Sequence, residues 1–240
     1  MNLRVITRTP WVRGRVVLPG DKSISHRALV LAALADGVST LHGRAAGADQ
    51  DSMVGCLRAL GVEVTDGDQG TTIAGVGLRG LRPLAVDLDC GNSGATMRFL
   101  AGALSATPGA SARLLGDASL SGRPMARVAR PLAVLGGYVA TSPTGTAPLE
   151  VRGARLRGGV IRLDVPSAQV KTAVLLAALQ ADGLTAVTEP AATRDHTERL
   201  LQRLGVDLRV GQGITLNPPP RVAPFTLEVP GDPSSAAFWA

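Results

Sequence analysis

The feature that most constrains the fold is an internal repeat with a period of about 70 residues. The Pro-Gly-Asp turn at 19–21 returns at 230–232, and small polar loops occur at similar intervals between them. Each loop precedes a helix rich in Ala and Leu. The equivalent positions at the four helix starts are Ser23, Ser93, Ala168 and Ser234. Such periodicity predicts equivalent supersecondary units packed around a common axis.

Each unit is predicted to contain a buried helix, a strand, an amphipathic helix and two more strands. The first helix, at 27–35, is apolar nearly all round and should lie in the interior. The segments 51–60 and 195–204 read as amphipathic helices that stop at a glycine, and 124–136 fills the same slot in the middle unit. Strands of the first unit are expected near 14–18, 38–42, 62–65 and 71–75. The fold class is therefore α/β, with three units around a pseudo-threefold axis.

A fourth unit is predicted to begin near the end of the sequence, but the pattern does not continue. A strand is predicted at 225–229, a loop and helix cap at 230–235, and an apolar helix from Ala236 to Ala240. Because a helix of five residues is not stable alone, we expect the sequence to be part of a longer protein.

Composition limits the chemistry. A hydrophobic share of 45% and a mean hydropathy of +0.19 predict a core, which Ala, Leu and Val must build because aromatics are only 2%. Cys56 and Cys90 are interpreted as small buried residues, because the sequence contains no Cys-x-x-Cys motif and no Cys/His spacing typical of a metal site. No signal peptide or long apolar run is found, so we expect a cytoplasmic protein without membrane contact.

The charge pattern favours an anionic small molecule over nucleic acid. The net charge is +6, but the 25 basic residues are scattered, and few aromatics are available to stack on bases. Only Lys22 and Lys171 are lysines. A lysine where the chain otherwise uses arginine indicates that a compact ammonium is needed.

The segment 19–27 is the strongest anion-binding candidate. With a helix expected from about Ile24, Lys22 projects from the loop and Arg27 lies one turn into the helix, so both can face one anion at the helix N-terminus. The alternative is an ordinary N-cap with a solvated lysine.

Further candidates lie at the other helix starts. The Gly-Asn-Ser-Gly loop at 91–94 permits close backbone approach, and Arg123 precedes a helix whose first turn holds a proline. Ser167 and Gln169 flank the start of the third helix, whereas Lys171, one turn further, is interpreted as structural.

The segment 193–198 predicts a capping box. Asp195 or Thr193 could cap the helix, with Glu198 three residues after Asp195. His196 is interpreted as structural. No Gly-x-Ser-x-Gly elbow, Walker loop or paired metal ligands occur, which disfavours covalent-nucleophile and metal mechanisms.

In combination these segments resemble the 5-enolpyruvylshikimate-3-phosphate (EPSP) synthase family, in order along essentially the whole chain. The resemblance rests on the segments 20–28, 91–94, 123–125, 166–171 and 194–198. It implies two globular halves, each of three βαβαββ units. Residues 14–228 would then form the shikimate-3-phosphate-binding domain, 1–13 would belong to the second domain, and 229–240 would cross into it.

The resemblance also implies the reaction, which is transfer of the enolpyruvyl group of phosphoenolpyruvate to the 5-hydroxyl of shikimate 3-phosphate with release of phosphate. It implies no cofactor and a monomer when complete. The residues implied for shikimate 3-phosphate are Lys22, Ser23, Arg27, Ser167, Ala168, Gln169 and Arg194. Those implied for phosphoenolpyruvate are Lys22, Gly94, Arg123 and Gln169.

The family's acid–base groups come from its other half, so no catalytic residue is assigned within 1–240. Ala95 and Phe99 depart from the residues common at these positions, which bears on the response to glyphosate, the competitor of phosphoenolpyruvate. Two other functions remain open. One is the UDP-N-acetylglucosamine enolpyruvyl transferase, although the Arg123 loop lacks its cysteine, and the other is an RNA-end-binding protein on related repeats. A structural fragment without activity is a third alternative.

Overall fold

The computed structural model describes residues 11, 13–82 and 84–239. The segment 1–13, predicted to belong to a second domain, therefore lies almost wholly outside the described residues, as does Ala240. Within the described part of the chain, twelve strands form three sheets of four strands each.

The strands are β1 (Asp36–His42), β2 (Glu63–Gly67), β3 (Gly70–Val76), β4 (Leu84–Asp89), β5 (Ser111–Leu115), β6 (Tyr138–Ala140), β7 (Leu149–Arg152), β8 (Val160–Arg162), β9 (Thr185–Thr188), β10 (Asp207–Val210), β11 (Ile214–Asn217) and β12 (Thr226–Glu228). The helices are α1 (Lys22–Ala33), α2 (Ala48–Ala59), α3 (Gly94–Ser105), α4 (Ala118–Ser121), α5 (Ala126–Val134), α6 (Ala168–Ala178), α7 (His196–Arg203) and α8 (Pro233–Ala236).

The three sheets share one topology, in which a parallel pair of strands is extended by two antiparallel strands. Their strand orders are β12-β1-β3-β2, β4-β5-β7-β6 and β8-β9-β11-β10. In the second and third units the elements follow the order βαβαββ, with the short α4 as an addition to the second. The predicted repeat of three α/β units is confirmed.

The first sheet takes its outer parallel strand from the far end of the described chain. β12 pairs with β1 in parallel register, with Leu227 opposite Leu41. The prediction of a strand near 14–18 is wrong, because these residues form no regular structure and Val17 is 91% exposed. Leu227 is instead buried against the core. The strand predicted at 225–229 is present, but it completes the first unit.

The two Pro-Gly-Asp turns lie side by side. The Asp21 N–H donates to the Pro230 carbonyl at 2.8 Å, and the Asp232 N–H donates to the Pro19 carbonyl at 2.9 Å. The repeated sequence at these turns thus pairs with its own copy, and the chain enters the first unit next to the place where it leaves it.

The prediction that the last helix begins at Ala236 is also wrong. The Asp232 carboxylate accepts a hydrogen bond of 2.8 Å from the Ser234 N–H and caps α8, which therefore begins at Pro233. Proline is well placed there because the first turn needs no N–H donor.

The helices α1, α3 and α6 form the centre of the molecule, as their apolar surfaces predict. Residues 28–35 are completely buried, and α3 packs along α6 and contacts α1. The amphipathic helices lie between these inner helices: α2 contacts α1 and α3, and α5 contacts α3 and α6. The helix α7 contacts α1 and is joined to α6 by a hydrogen bond between Thr197 and Thr172. This cyclic arrangement is the pseudo-threefold predicted from the repeat. Gly61 and Gly205, with φ of 84° and 78°, end α2 and α7 as expected.

Candidate anion-binding site

The N-terminal ends of the three inner helices open into one cleft with a volume of about 280 Å³. Each end carries a side-chain cap, because Asp21, Ser93 and Ser167 accept hydrogen bonds from N–H groups three residues further on. The residues that line the cleft are Lys22, Ser23, His26, Arg27, Asp49, Gly94, Ala95, Phe99, Arg123, Ala168, Gln169 and Arg194. Three helix N-termini therefore present their positive ends to the same space.

The cleft brings together residues predicted from all three units. They are Lys22, Ser23, Arg27, Gly94, Arg123, Ala168, Gln169 and Arg194. Ser167 does not line the cleft; it is half-buried beside Ala168, and its hydroxyl accepts a hydrogen bond of 3.4 Å from the Val170 N–H.

The first helix begins earlier than predicted. Its N-cap is Asp21, whose carboxylate accepts a hydrogen bond of 2.8 Å from the Ile24 N–H, so the helix starts at Lys22 and not near Ile24. The alternative of an ordinary N-cap with a solvated lysine holds in part, because Asp21 caps the helix and the Lys22 side chain is 56% exposed, but the Lys22 ammonium also forms an ion pair with Asp49. The sequence reasoning missed Asp49, which lies in the first turn of α2.

Arg27 is buried at the floor of the cleft. Its Nε donates to Thr197 Oγ1 at 2.7 Å, and its two terminal nitrogens donate to the Ser23 carbonyl at 2.8 Å and to Thr172 Oγ1 at 3.1 Å. The guanidinium carbon lies 5.2 Å from the centre of the Phe99 ring. Burial lowers the pKa of Arg27 to about 10, so the side chain still carries its charge at neutral pH. Three of its five N–H groups are used within the protein.

His26 lines the cleft and connects the first two units. Its Nδ1 lies 3.0 Å from the Lys22 carbonyl, and its Nε2 lies 3.2 Å from both the Asp49 carbonyl and the Ser93 hydroxyl. Burial is the main reason why the pKa of His26 is lowered from its usual value. The ring is therefore neutral at pH 7 and fixes the tips of α1, α2 and α3 relative to one another.

A buried arginine that the sequence reasoning missed lies behind Gly94. Arg98 is buried, and its Nη1 donates to Gln169 Oε1 at 2.5 Å and to the Gly94 carbonyl at 3.2 Å. Burial, followed by repulsion from Arg127 and Arg123, lowers the pKa of Arg98 to about 10. Its position four residues after Gly94, on the same helix face, is the signal that could have identified it.

Arg123 and Arg194 reach the cleft from loops. Arg123 Nη2 donates to the side-chain oxygen of Asn92 and, at 3.3 Å, to the Ser119 hydroxyl. Arg194 Nη1 donates to the Ser23 hydroxyl at 3.4 Å. Among the lining residues, four cationic side chains thus oppose one carboxylate, that of Asp49. This surplus suits a ligand with several negative charges.

The predicted capping box at the start of α7 is wrong. Asp195 is the N-cap residue but makes no side-chain cap hydrogen bond, and Thr193 donates instead to Glu189 at 2.7 Å. Glu198 points away from the helix start and forms an ion pair with Lys171 at 2.6 Å. Lys171 is thus a buried internal cation, consistent with its interpretation as structural.

In the described ranges, no group of three or more His, Cys, Asp or Glu side chains is placed to hold a metal ion. No helix of the described chain is both long and apolar enough to cross a membrane.

The fold and the cleft define a class of α/β proteins built from βαβαββ repeats, in which helix N-termini converge on one cleft rich in cationic side chains. The family model described as EPSP synthase (3-phosphoshikimate 1-carboxyvinyltransferase) matches residues 6–240. The chain belongs to the EPSP synthase family.

Individual relatives agree with this assignment. The chain is 52% identical over 235 residues to a 3-phosphoshikimate 1-carboxyvinyltransferase of Synechococcus sp. strain WH7803, covering 95% of this chain and 54% of the relative. It is 51% identical over 228 residues to that of Acidithiobacillus ferrooxidans, covering 94% and 52%. An EPSP synthase structure from Acinetobacter baumannii superposes with a TM-score of 0.88 at 43% identity, covering 94% of this chain and 52% of that one. The chain thus spans about half the length of the relatives that it matches.

Proposed function

We propose that this chain is the shikimate-3-phosphate-binding half of an enzyme that transfers the enolpyruvyl group of phosphoenolpyruvate to the 5-hydroxyl of shikimate 3-phosphate and releases phosphate. Membership of the EPSP synthase family and the printed activity of its relatives support this proposal. The observation that carries it is the convergence of four cationic side chains and three helix N-termini, drawn from all three units, on one cleft.

Shikimate 3-phosphate would bind through its two anionic groups. The carboxylate is assigned to Ser23 and Arg27, since Arg27 keeps two N–H groups beyond the three used in the protein. The 3-phosphate is assigned to the backbone N–H of Ala168 at the start of α6 and to Arg194. Ser167, predicted for the same group, is the N-cap beside Ala168 and lies outside the lining of the cleft, so it would have to turn its hydroxyl toward the phosphate. Lys22 and Gln169, which also line the cleft, complete the set.

Phosphoenolpyruvate is assigned to Lys22, Gly94, Arg123 and Gln169. A Cβ atom added at Gly94 would lie 2.6 Å from Arg98 Nη1 and 3.5 Å from Arg123 Nη1, so a side chain here would occupy the space between these cations. Fixed cations offset the mutual repulsion of two anionic substrates and hold the 5-hydroxyl close to the enolpyruvyl carbon.

The acid–base groups are assigned to the part of the enzyme outside this chain. In the described residues the cleft contains one carboxylate, Asp49, and it is paired with Lys22. We therefore expect 1–240 alone to bind shikimate 3-phosphate weakly and to catalyse no turnover, and we expect the complete enzyme to be a cytoplasmic monomer that needs no cofactor.

Calorimetric titration of the chain with shikimate 3-phosphate tests the binding proposal. Arg194→Gln should weaken binding by roughly tenfold or more, the value of a charge-assisted contact. Arg209→Gln, which removes a similarly exposed arginine from β10, is the matched control and should leave binding unchanged. Equal affinities of both variants would contradict the assignment of the cleft.

Two further titrations separate the alternatives. UDP-N-acetylglucosamine should not compete for the cleft, and RNA should bind, if at all, with an affinity that falls steeply as salt is raised. A coupled assay for phosphate release completes the set, because turnover by 1–240 alone would place the acid–base groups within this chain.

A further inference from the structure

Behind the cleft lies a buried group of charges that the proposed reaction does not use. The Lys171 ammonium lies 2.9 Å from Glu189 Oε1 and 2.6 Å from Glu198 Oε1. The exposed side-chain fractions are 2% for Lys171, 16% for Glu189 and 3% for Glu198. These three residues are called the Lys171 cluster below.

The Lys171 cluster joins the segments that are assigned to the phosphate of the substrate. Lys171 itself lies in the first turn of α6, where its N–H donates to the Ser167 carbonyl at 3.0 Å. Glu189 accepts two hydrogen bonds from Thr193, one from its N–H at 3.2 Å and one from its hydroxyl at 2.7 Å. Thr193 directly precedes Arg194. One ammonium thus connects the α6 tip to the loop that carries Arg194.

Glu198, the third member of the cluster, connects to Arg27, which is assigned to the carboxylate of the substrate. Glu198 is adjacent to Thr197, whose hydroxyl accepts from Arg27 Nε at 2.7 Å and lies 2.6 Å from the Thr172 hydroxyl. The second carboxylate oxygen of Glu198 is buried, with no hydrogen-bond partner in the described chain.

A buried cluster of charges contributes little net stability to a protein core. Buried ions lose their hydration, and apolar residues of similar volume usually stabilise a protein at least as well. Stability alone therefore does not explain two carboxylates around one ammonium, with one oxygen lacking a partner in the described chain. Directional hydrogen bonds from a fixed charge hold a loop in one conformation, which apolar contacts do less well.

We propose that Lys171 and Glu189 are positioning residues, which hold the 189–194 loop against α6 so that Arg194 and the Ala168 N–H meet the same phosphate group. The inference rests on the proposed function, because it assigns the recognition of the 3-phosphate to this loop. According to this proposal, the difference in affinity between shikimate 3-phosphate and shikimate depends on side chains that contact neither ligand.

The test uses Glu189→Gln in chain 1–240 and measures binding of both ligands. Glutamine keeps the shape but removes the negative charge that pairs with the Lys171 ammonium, and its NH₂ group replaces the oxygen that accepts from the Thr193 hydroxyl. Binding of shikimate 3-phosphate should weaken by about tenfold, while binding of shikimate, which lacks the phosphate, should change less than about twofold. Glu63→Gln, an exposed site on β2, is the matched control and should alter neither.

A second, milder variant keeps the test valid if Glu189→Gln does not fold. Thr193→Val removes only the hydroxyl that donates to Glu189, and it should reduce the same discrimination by a smaller factor. If Glu189→Gln weakened both ligands equally, or neither, the positioning role would be overturned. If the unsubstituted chain bound shikimate and shikimate 3-phosphate equally, the proposed function itself would be overturned, and this inference with it.

Discussion

The ammonium of Lys22 and the carboxylate of Asp49 form an ion pair at the mouth of the cleft. The Lys22 side chain is 56% exposed and that of Asp49 is 25% exposed, so the pair is accessible to a ligand. An exposed ion pair is weak, and a phosphate group with two charges can displace the single carboxylate. Asp49 thus keeps Lys22 directed toward the cleft without blocking it.

The first prediction concerns Lys22. In a complete enzyme that contains this half, Lys22→Ala should lower kcat/KM for phosphoenolpyruvate by roughly 10- to 150-fold, which corresponds to a lost charge-assisted contact of about 1.5–3 kcal/mol. The effect on the KM for shikimate 3-phosphate should be smaller. Steady-state kinetics with each substrate varied in turn provide the measurement, and an unchanged kcat/KM would contradict the assignment.

A second prediction follows from the space at Gly94. Gly94→Ala should raise the KM for phosphoenolpyruvate, since the new methyl group would lie 2.6 Å from Arg98 Nη1 and force that guanidinium to shift. Binding of glyphosate, as a competitor for the same place, should weaken in parallel. Inhibition kinetics on the complete enzyme measure both effects. The prediction fails if the variant keeps its affinity for both anions and loses affinity for shikimate 3-phosphate instead.

The helix tips of the cleft could be predicted because the same kinds of residue recur at equal intervals. Ser23, Ser93 and Ala168 are aligned as equivalent positions in successive units, and equivalent positions in a cyclic repeat point to the axis. The sequence also contained a glycine four residues before Arg98, yet one turn of a helix was too short a pattern to stand out.

The remaining features depend on contacts between distant parts of the chain. β12 replaces the strand expected at 14–18, and nothing in either segment alone indicates that Leu227 faces Leu41. The same holds for the partners of charged residues. Asp49 and Glu198 fit the local pattern of acidic residues near a helix start, and only the fold pairs them with Lys22 and Lys171.

The third prediction concerns pH. Burial lowers the pKa of His26, and burial together with Arg27 lowers that of His196, so both rings bind protons less readily in the folded than in the unfolded chain. Their contribution to stability is complete above about pH 6.5 and is lost as the pH falls, by at most about 1.4 kcal/mol per pH unit for each ring. The pKa values of Asp66 and Glu189 are also lowered, so these carboxylates contribute stability that is lost only at a lower pH, where carboxyl groups become protonated.

Urea denaturation at pH 7.5, 6.5 and 5.5 measures this dependence. His26→Gln should flatten the fall in unfolding free energy across that range, although its absolute stability will be lower because the buried hydrogen bonds change. His42→Gln controls for the loss of a histidine near the surface. The same slope in His26→Gln and the unsubstituted chain would show that His26 does not titrate on unfolding.

The fourth prediction concerns β12, whose pairing with β1 completes the first sheet. Leu227 is 5% exposed, and Leu227→Ala should lower the free energy of unfolding by about 2–4 kcal/mol, the usual range for a leucine lost from a core. Leu184→Ala, at a site that is 56% exposed, is the control and should cost less than about 1 kcal/mol. Because β12 lies beside the turn at 19–21 that leads into α1, the loss should also weaken binding at Lys22 and Ser23. Denaturation and ligand titration of the same two variants measure both effects, and equal costs at the two sites would mean that β12 is not part of the folded core.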